Sequence, residues 1–291
     1  MNNKYIVYNN DLKFKEFRNL DPNKIFWHQD FVEKAYYDEN LDTIEYRLRE
    51  CKKNNNEFLD LSHLHLKEVP NIPNYISSSV KYLFINNNEI EILKNLEQFS
   101  NLEVLDVNNN NINFIKYLPS NLNEFCCKYN SITEIPPLEY LKILDCTCNM
   151  MENIYKYPNL ETLICCENNI RELPNFIKLK KLICKFNKLK KIDIYGLVYL
   201  DCSYNNITKI NDCPLLKDLL CRNNKLEGIP DYLPNLQYLE IFNNKFDKIA
   251  YFPSLKELYC DLDGITNVPI EYQTKLADKK IYKNYLILIF K

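Results

Sequence analysis

Glycine is almost missing from this chain: three residues in 291, and no two of Gly196, Gly228 and Gly264 fall close together. A phosphate-cradling loop needs clustered glycines whose backbone can approach the ligand, so P-loop and dinucleotide-binding enzymes are excluded. Histidine is as scarce, with His28, His63 and His65 all toward the N-terminal end. No Ser-His-Asp or Cys-His nucleophile can be assembled from them, and two histidines without a third ligand do not make a zinc site. Long apolar runs are missing too. The longest, Tyr285-Leu-Ile-Leu-Ile-Phe290, is far short of the ~20 residues of a membrane-spanning helix. The opening MNNKYIVYNNDLKFKEF holds no apolar core of a secretory signal. Nor is there an excess of either charge: 37 Lys plus Arg stand against 39 Asp plus Glu, for a net charge of −2. Without a basic surplus, the general attraction to nucleic-acid phosphates or to an anionic membrane is absent.

What is present is equally skewed. Hydrophobic residues make up 46% of the chain, ample for a packed core, and there are 22 Tyr, 12 Cys and roughly forty Asn. Such a balance, rich in Asn, Lys, Ile and Tyr, also matches a coding bias toward AT-rich codons. Twelve cysteines without a secretory signal predict free thiols in a reducing cytoplasm. Length alone suggests about two domains, but the internal periodicity overrides that prior.

From residue 80 one pattern recurs: Val80-KYLFINNNEIEIL, Leu102-EVLDVNNNNINFI, Leu122-NEFCCKYNSITEI, Leu141-KILDCTCNMMENI, Leu160-ETLICCENNIREL, Leu179-KKLICKFNKLKKI, Leu197-VYLDCSYNNITKI, Leu216-KDLLCRNNKLEGI, Leu236-QYLEIFNNKFDKI and Leu255-KELYCDLDGITNV. Each reads L-x-x-L-x-(C/I/V)-x-x-N-x-(I/L)-x-x-(I/L). The marker asparagines run from Asn88 to Asn244 at spacings of 22, 20, 19, 19, 19, 18, 19 and 20, and Asp263 takes the place in the last copy. A degenerate earlier copy, Phe58-LDLSHLHLKEVP, has Leu64 at that position. The fourth and sixth positions share parity, so a strand there points both side chains inward. One repeat cannot bury that face alone; stacked neighbours must. The asparagine is expected to turn inward and bond the backbone of the sharp turn that follows the strand. Only ~6 residues remain per repeat, which leaves the convex side extended or 3₁₀ segments rather than long helices.

At these residues the sequence resembles the leucine-rich-repeat family over about residues 57–270. The short period and the endings in Pro (Val69-Pro70, Ile135-Pro136, Leu173-Pro174, Ile229-Pro230) are similar to the shortest subclass, found in bacterial effectors, amoebae and large amoeba-infecting viruses. The resemblance implies an α/β solenoid: a curved right-handed superhelix with one parallel β-sheet on its concave face. It also implies protein recognition as the role, with any catalysis in a separate domain.

Residues 1–56 lack the period. Phe31, Ala35, Tyr36, Ile44, Leu48 and Cys51 suit one or two amphipathic helices forming an N-terminal cap. The competing assignment is a segment that docks a ligase or phosphatase, which would make the chain a substrate-recognition or targeting subunit. Residues 271–291 are expected to cap the other end, with Tyr285–Phe290 covering the edge of the last repeat.

Seven cysteines, Cys127, Cys146, Cys165, Cys184, Cys202, Cys221 and Cys260, occupy the sixth position, where other copies carry Ile85, Val107 and Ile241. Exchange with Ile and Val assigns the thiol the part of a small hydrophobe. A straight row offers no tetrahedral cage and the chain has no Cys-x-x-Cys, so neither a metal nor any other cofactor is expected. Cys126, Cys148 and Cys166 sit at outward positions and are the candidate reactive thiols. His63 and His65 alternate and would share one strand face. Asp106 and Asp145 are expected as solvated charges.

The third, fifth, seventh and eighth positions should face outward from the strands. There the chain places Tyr129, Ile143, Ile164, Ile183, Phe186, Tyr199, Tyr204, Leu220, Tyr238, Phe242 and Tyr259. Large apolar residues facing water, interspersed with Lys185, Asp201, Arg222 and Glu240, have the make-up of an interface core with a polar rim. The expected function is therefore a non-catalytic scaffold that binds a protein through the concave face; homodimerisation through the same patch competes with it.

Overall fold

The computed structural model describes residues 43–261, 269–282 and 285–290. His28, with the rest of residues 1–42 of the expected N-terminal cap, and Asp263 lie outside these.

The repeat becomes a solenoid curved around a parallel sheet on its concave face. Eleven strands stack in register, ten of them three residues long: β1 (Phe58–Asp60), β2 (Tyr82–Phe84), β4 (Val104–Asp106), β6 (Glu124–Cys126), β7 (Ile143–Asp145), β8 (Thr162–Ile164), β9 (Lys181–Ile183), β11 (Tyr199–Asp201), β13 (Asp218–Leu220), β14 (Tyr238–Glu240) and β15 (Glu257–Asp261). The register aligns the fourth position of every copy, Leu83 with Leu105, then Phe125, Leu144, Leu163 and onward to Leu258. Those residues, the first-position leucines and the sixth-position Ile, Val and Cys are essentially inaccessible and form one continuous core. Shape explains the uniformity: each side chain meets its equivalent one strand away, so only apolar groups of similar volume stack without gaps.

Between strands the convex side carries short pieces only: a helix at Asn74–Ser77, a 3₁₀ turn at Leu96–Gln98, and the two-residue pairs β3 (Ile92–Leu93) with β5 (Phe114–Ile115) and β10 (Lys191–Ile192) with β12 (Lys209–Ile210). No helix among the described residues is long and apolar enough to cross a membrane.

The marker asparagine closes each turn. Asn149 shows the arrangement: its Nδ2 donates to the carbonyls of Cys127 (2.9 Å), Cys146 (3.1 Å) and Thr147 (3.2 Å), and its Oδ1 accepts from Ile132 N (2.9 Å). Asn168, Asn187 and Asn205 repeat the same bonds one rung on. One buried amide thus satisfies backbone groups of two adjacent repeats, groups that would otherwise be desolvated without a partner.

The residue before it has a property that hydrophobic pattern does not reveal. At the eighth position the backbone is left-handed, with φ between 51° and 59° at His63, Asn87, Asn109, Tyr129, Cys148, Glu167, Phe186, Tyr204, Asn223 and Asn243. Asn tolerates that conformation; Tyr, Phe, Glu and Cys adopt it at a cost.

At the N-terminal side a helix, Ile44–Lys53, starts at Thr43, whose Oγ1 accepts from Tyr46 N (3.2 Å). It buries Cys51 and packs Ile44 and Leu48 on the core, while Arg47 reaches Asp60 of β1 at 3.3 Å. At the other end β17 (Tyr285–Phe290) pairs antiparallel with β15 and with β16 (Leu276–Tyr282). The intervening helix Ile270–Lys275 is pinned through buried Tyr272, whose hydroxyl accepts from Phe252 N (2.8 Å), donates to Ala250 O (3.1 Å), and whose ring stacks on Phe290.

His63 and His65 do not share a strand face. Both lie beyond β1 in left-handed conformations, His63 against Asn87 and His65 against Glu89, because the chain has already entered the turn there.

Candidate protein-binding surface on the concave sheet

Four columns of side chains run along the sheet, one for each outward position, and their exposure differs sharply. The row at the eighth position is the most open: Tyr129 and Phe186 are 47% exposed and Tyr204 36%. Ile143, Tyr199, Leu220, Tyr238, Phe242 and Tyr259 are half-buried. Ile164 and Ile183 correct the sequence expectation, since both are buried. They stand on adjacent strands at the fifth position and pack with Cys166 and Tyr199 into a small cluster of their own on the outer side of the sheet. On a concave sheet the middle column is the most crowded, and neighbours close over it.

The same crowding overturns two further expectations. Cys126 and Cys166 face outward yet are buried, and burial pushes their thiols up, that of Cys166 to about 11. Cys148 is half-buried and also raised to about 11, by burial and then by Glu167. None of the three has the depressed value of a reactive thiolate. The sixth-position thiols are buried, and the values of those from Cys127 to Cys221 lie well above the ordinary one for the same reason. All twelve cysteines are free.

Asp106 and Asp145 are not solvated either. Burial raises the Asp106 carboxyl to about 7 against the lowering effect of the Asn108 N–H, and raises Asp145 against the pull of Lys128. Their place in the fold is local. The Oδ1 atoms of Asp60, Asp106, Asp145 and Asp201 each accept from the backbone N–H two residues on, at 2.8–3.2 Å. Such Asx bonds guide the chain out of the strand. The signal was in the sequence as D-x-(S/N/T) at positions five to seven, where a carboxylate beside a small polar residue marks a turn.

Cations stitch adjacent strands together across this column. Lys128 lies 3.8 Å from Asp145, Lys185 3.4 Å from Asp201 and Arg222 3.2 Å from Glu240, always from the seventh position of one repeat to the fifth of the next. Burial raises the Glu240 carboxyl, and Arg222 offsets part of that rise.

The aromatic residues collect into two groups. Phe186 and Tyr204 stack at 4.3 Å with planes 15° apart, and the Arg222 guanidinium sits 5.3 Å over the Tyr204 ring. Tyr238 and Tyr259 pack at 5.0 Å, with Phe242 edge-on to Tyr259 at 6.4 Å. Lys181 lies over Tyr199 at 5.5 Å. Tyr129 stands on the same row as Phe186 and Tyr204, four rungs before Tyr204. Among the described residues, no group of three or more His, Cys, Asp or Glu is placed to hold a metal ion.

No protein-family model matches the sequence, and no curated protein matches it. Solved structures do. YopM from Yersinia enterocolitica is 21% identical at a TM-score of 0.53, over 84% of this chain and 69% of that one. The leucine-rich-repeat domain of APL1B is 16% identical at a TM-score of 0.59, over 86% of this chain and 98% of that one. A chain from the octameric complex of Latrophilin 3, Unc5D and the leucine-rich-repeat protein FLRT2 is 19% identical at 0.52, over 69% and 80%. At these identities the likeness is one of architecture, and with the stacked strands and the asparagine ladder it shows that the chain has the leucine-rich-repeat solenoid fold.

Proposed function

We propose that this protein is a non-catalytic scaffold that binds a protein partner on its concave face. The observation that carries this is the pair of aromatic groups, Phe186–Tyr204 and Tyr238–Phe242–Tyr259, left partly open on a rigid sheet and flanked by Lys185 and Arg222, whose carboxylate partners Asp201 and Glu240 are buried. Tyr, Phe and Arg are the residues that anchor interfaces, and the open ends of Lys185 and Arg222 supply polar contacts beside them. A stacked sheet is preformed, so a partner orders little of it on binding. The FLRT2 complex offers an analogy: there a leucine-rich-repeat protein takes part in a protein assembly. In this assignment residues 57–270 form the repeats, residues 1–56 and 271–291 serve as caps, and no cofactor, membrane or nucleic acid takes part. Twelve free thiols suit a reducing cytoplasm.

A quantitative pull-down with the intact chain and a Tyr204→Asp/Phe242→Asp variant tests it, after circular dichroism has verified that both fold. A partner retained by the native chain and lost from the variant supports the concave site. Equal recovery by both refutes it, and a dimer that the variant abolishes identifies the patch as a self-association surface.

A further inference from the structure

The two kinds of residue at the eighth position divide the solenoid. The outer copies carry Asn87, Asn109, Asn223 and Asn243, and these asparagines bond one another along the row, Asn109 Nδ2 to Asn87 Oδ1 at 3.1 Å and Asn243 Nδ2 to Asn223 Oδ1 at 2.9 Å. The five copies between them hold the same left-handed backbone with Tyr129, Cys148, Glu167, Phe186 and Tyr204. Asn is the residue that conformation favours, and Tyr and Phe gain no core burial there: their rings stand partly open, in contact only along the row and with Arg222. At ~4.8 Å per rung, Tyr129 to Tyr204 spans roughly 19 Å, the length of about six residues of extended chain.

The chemistry of this stretch is directional. Phe186 gives one face to Tyr204, and Arg222 covers Tyr204 beyond it, so that end of the stack already holds a guanidinium. The opposite face of Phe186 looks back toward the rung of Glu167, an exposed carboxylate. The surrounding charge has the same sense. Within the five copies, Lys128 and Lys185 are each held by a carboxylate of the next strand, which leaves Glu124 and Glu167 over Lys181 at the outward positions.

We propose that the eighth-position row from Tyr129 to Tyr204 is a recognition ridge for an extended basic segment of the partner, with an arginine or lysine side chain stacked on the open face of Phe186 and paired with Glu167. The assignment rests on the concave-face function above and adds the chemistry of the partner. A cation over an aromatic ring beside a carboxylate gains from the ring quadrupole and from the charge. Tyr204 with Arg222 shows the same pairing inside the molecule.

The test uses the full chain and a fluorescein-labelled (Arg-Gly)₃ peptide, with its citrulline counterpart as an uncharged isostere, read by fluorescence anisotropy at low and moderate salt. The expected result is binding of the arginine peptide about tenfold or more tighter than the citrulline one, weakened by salt. Phe186→Asn and Glu167→Gln should each weaken it several-fold, and Tyr117→Asn, at an exposed tyrosine away from the sheet, should not. Because Asn is the native residue at four other eighth positions, and its relief of the left-handed backbone offsets the lost stack on Tyr204, Phe186→Asn should fold with a Tm within about 5 °C of the native one, which separates lost binding from lost structure. Equal affinity for the two peptides, or full affinity in Phe186→Asn, overturns the proposal. If the peptides fail to discriminate while Tyr204→Asp/Phe242→Asp still loses a captured partner, the basic-segment assignment falls and the concave-face function stands; if both fail, both fall.

Discussion

The sixth and eighth positions lie two residues apart in every repeat and obey different constraints. At the sixth, eleven copies carry Leu, Ile, Val or Cys and nothing else, all at most 2% exposed. At the eighth, His, Asn, Tyr, Cys, Glu and Phe are interchanged, and all ten copies from His63 to Asn243 share one backbone conformation. The inner position is limited by volume, because each side chain stacks on its counterpart in a core without voids. The outer one is limited chiefly by φ, which costs a non-glycine residue about 1 kcal/mol, and its side chains meet only their neighbours along the row rather than a closed core. A repeat protein can vary chemistry cheaply only where packing does not decide identity, and here that place is a rim at the end of the strands.

The sharpest way to break the comparison is to place the same charge at both positions of one repeat. Cys184→Asp buries a carboxylate with no cation beside it and should cost about 4 kcal/mol or more. Phe186→Asp should change stability by less than about 1 kcal/mol. Urea midpoints of the two variants measure the difference, and similar losses would mean that the eighth position is also part of the core.

The fifth position lies between these extremes, and pH probes it. Asp106 titrates near 7 in the folded chain, in a setting shared with Lys128, Glu124 and Asp145, and near 4 when unfolded. Because the folded value is the higher one, folding favours the protonated form. Its contribution is fully present below about pH 4, declines as pH rises through 7, and is lost above that. A rise of about three units corresponds to at most ~4 kcal/mol. Denaturation of the native chain from pH 4 to pH 8 should therefore show a decline that Asp106→Asn reduces; an identical profile in the variant would show that the carboxylate is solvated after all.

The smallest expected effect sharpens the eighth position itself. Tyr129→Asn puts the favoured residue into a left-handed backbone and should raise stability by about 0.5–1 kcal/mol. A loss of stability instead would mean that the tyrosine ring packs against something the exposed surface conceals.

Most of the architecture was legible because a repeat samples the same local problem many times. The spacing of Leu, Cys and Asn identified strand, turn and stacking direction, and the exchange of Cys127 or Cys184 for Ile85 or Val107 identified the thiols as core. The left-handed turn was legible in principle from the asparagines at 87, 109, 223 and 243, but Tyr, Glu and Phe at the same position obscure it. Alternation failed at Ile164, Ile183, Cys126 and Cys166. Parity tells which side of a strand a residue faces, and on a curved sheet the facing side is not always open. For the same reason Asp106 and Asp145 looked like surface charges.

The sequence by itself determined the period, the inward column and the asparagine ladder, since these depend on identity at fixed spacing and on contacts with the adjacent copy. Only the tertiary structure decided which outward residues remain open to a partner, that Phe186, Tyr204 and Arg222 form one stack, and that Tyr285–Phe290 runs antiparallel beside the last parallel strand. Those outcomes depend on curvature and on side chains meeting across several rungs, and no single repeat encodes either.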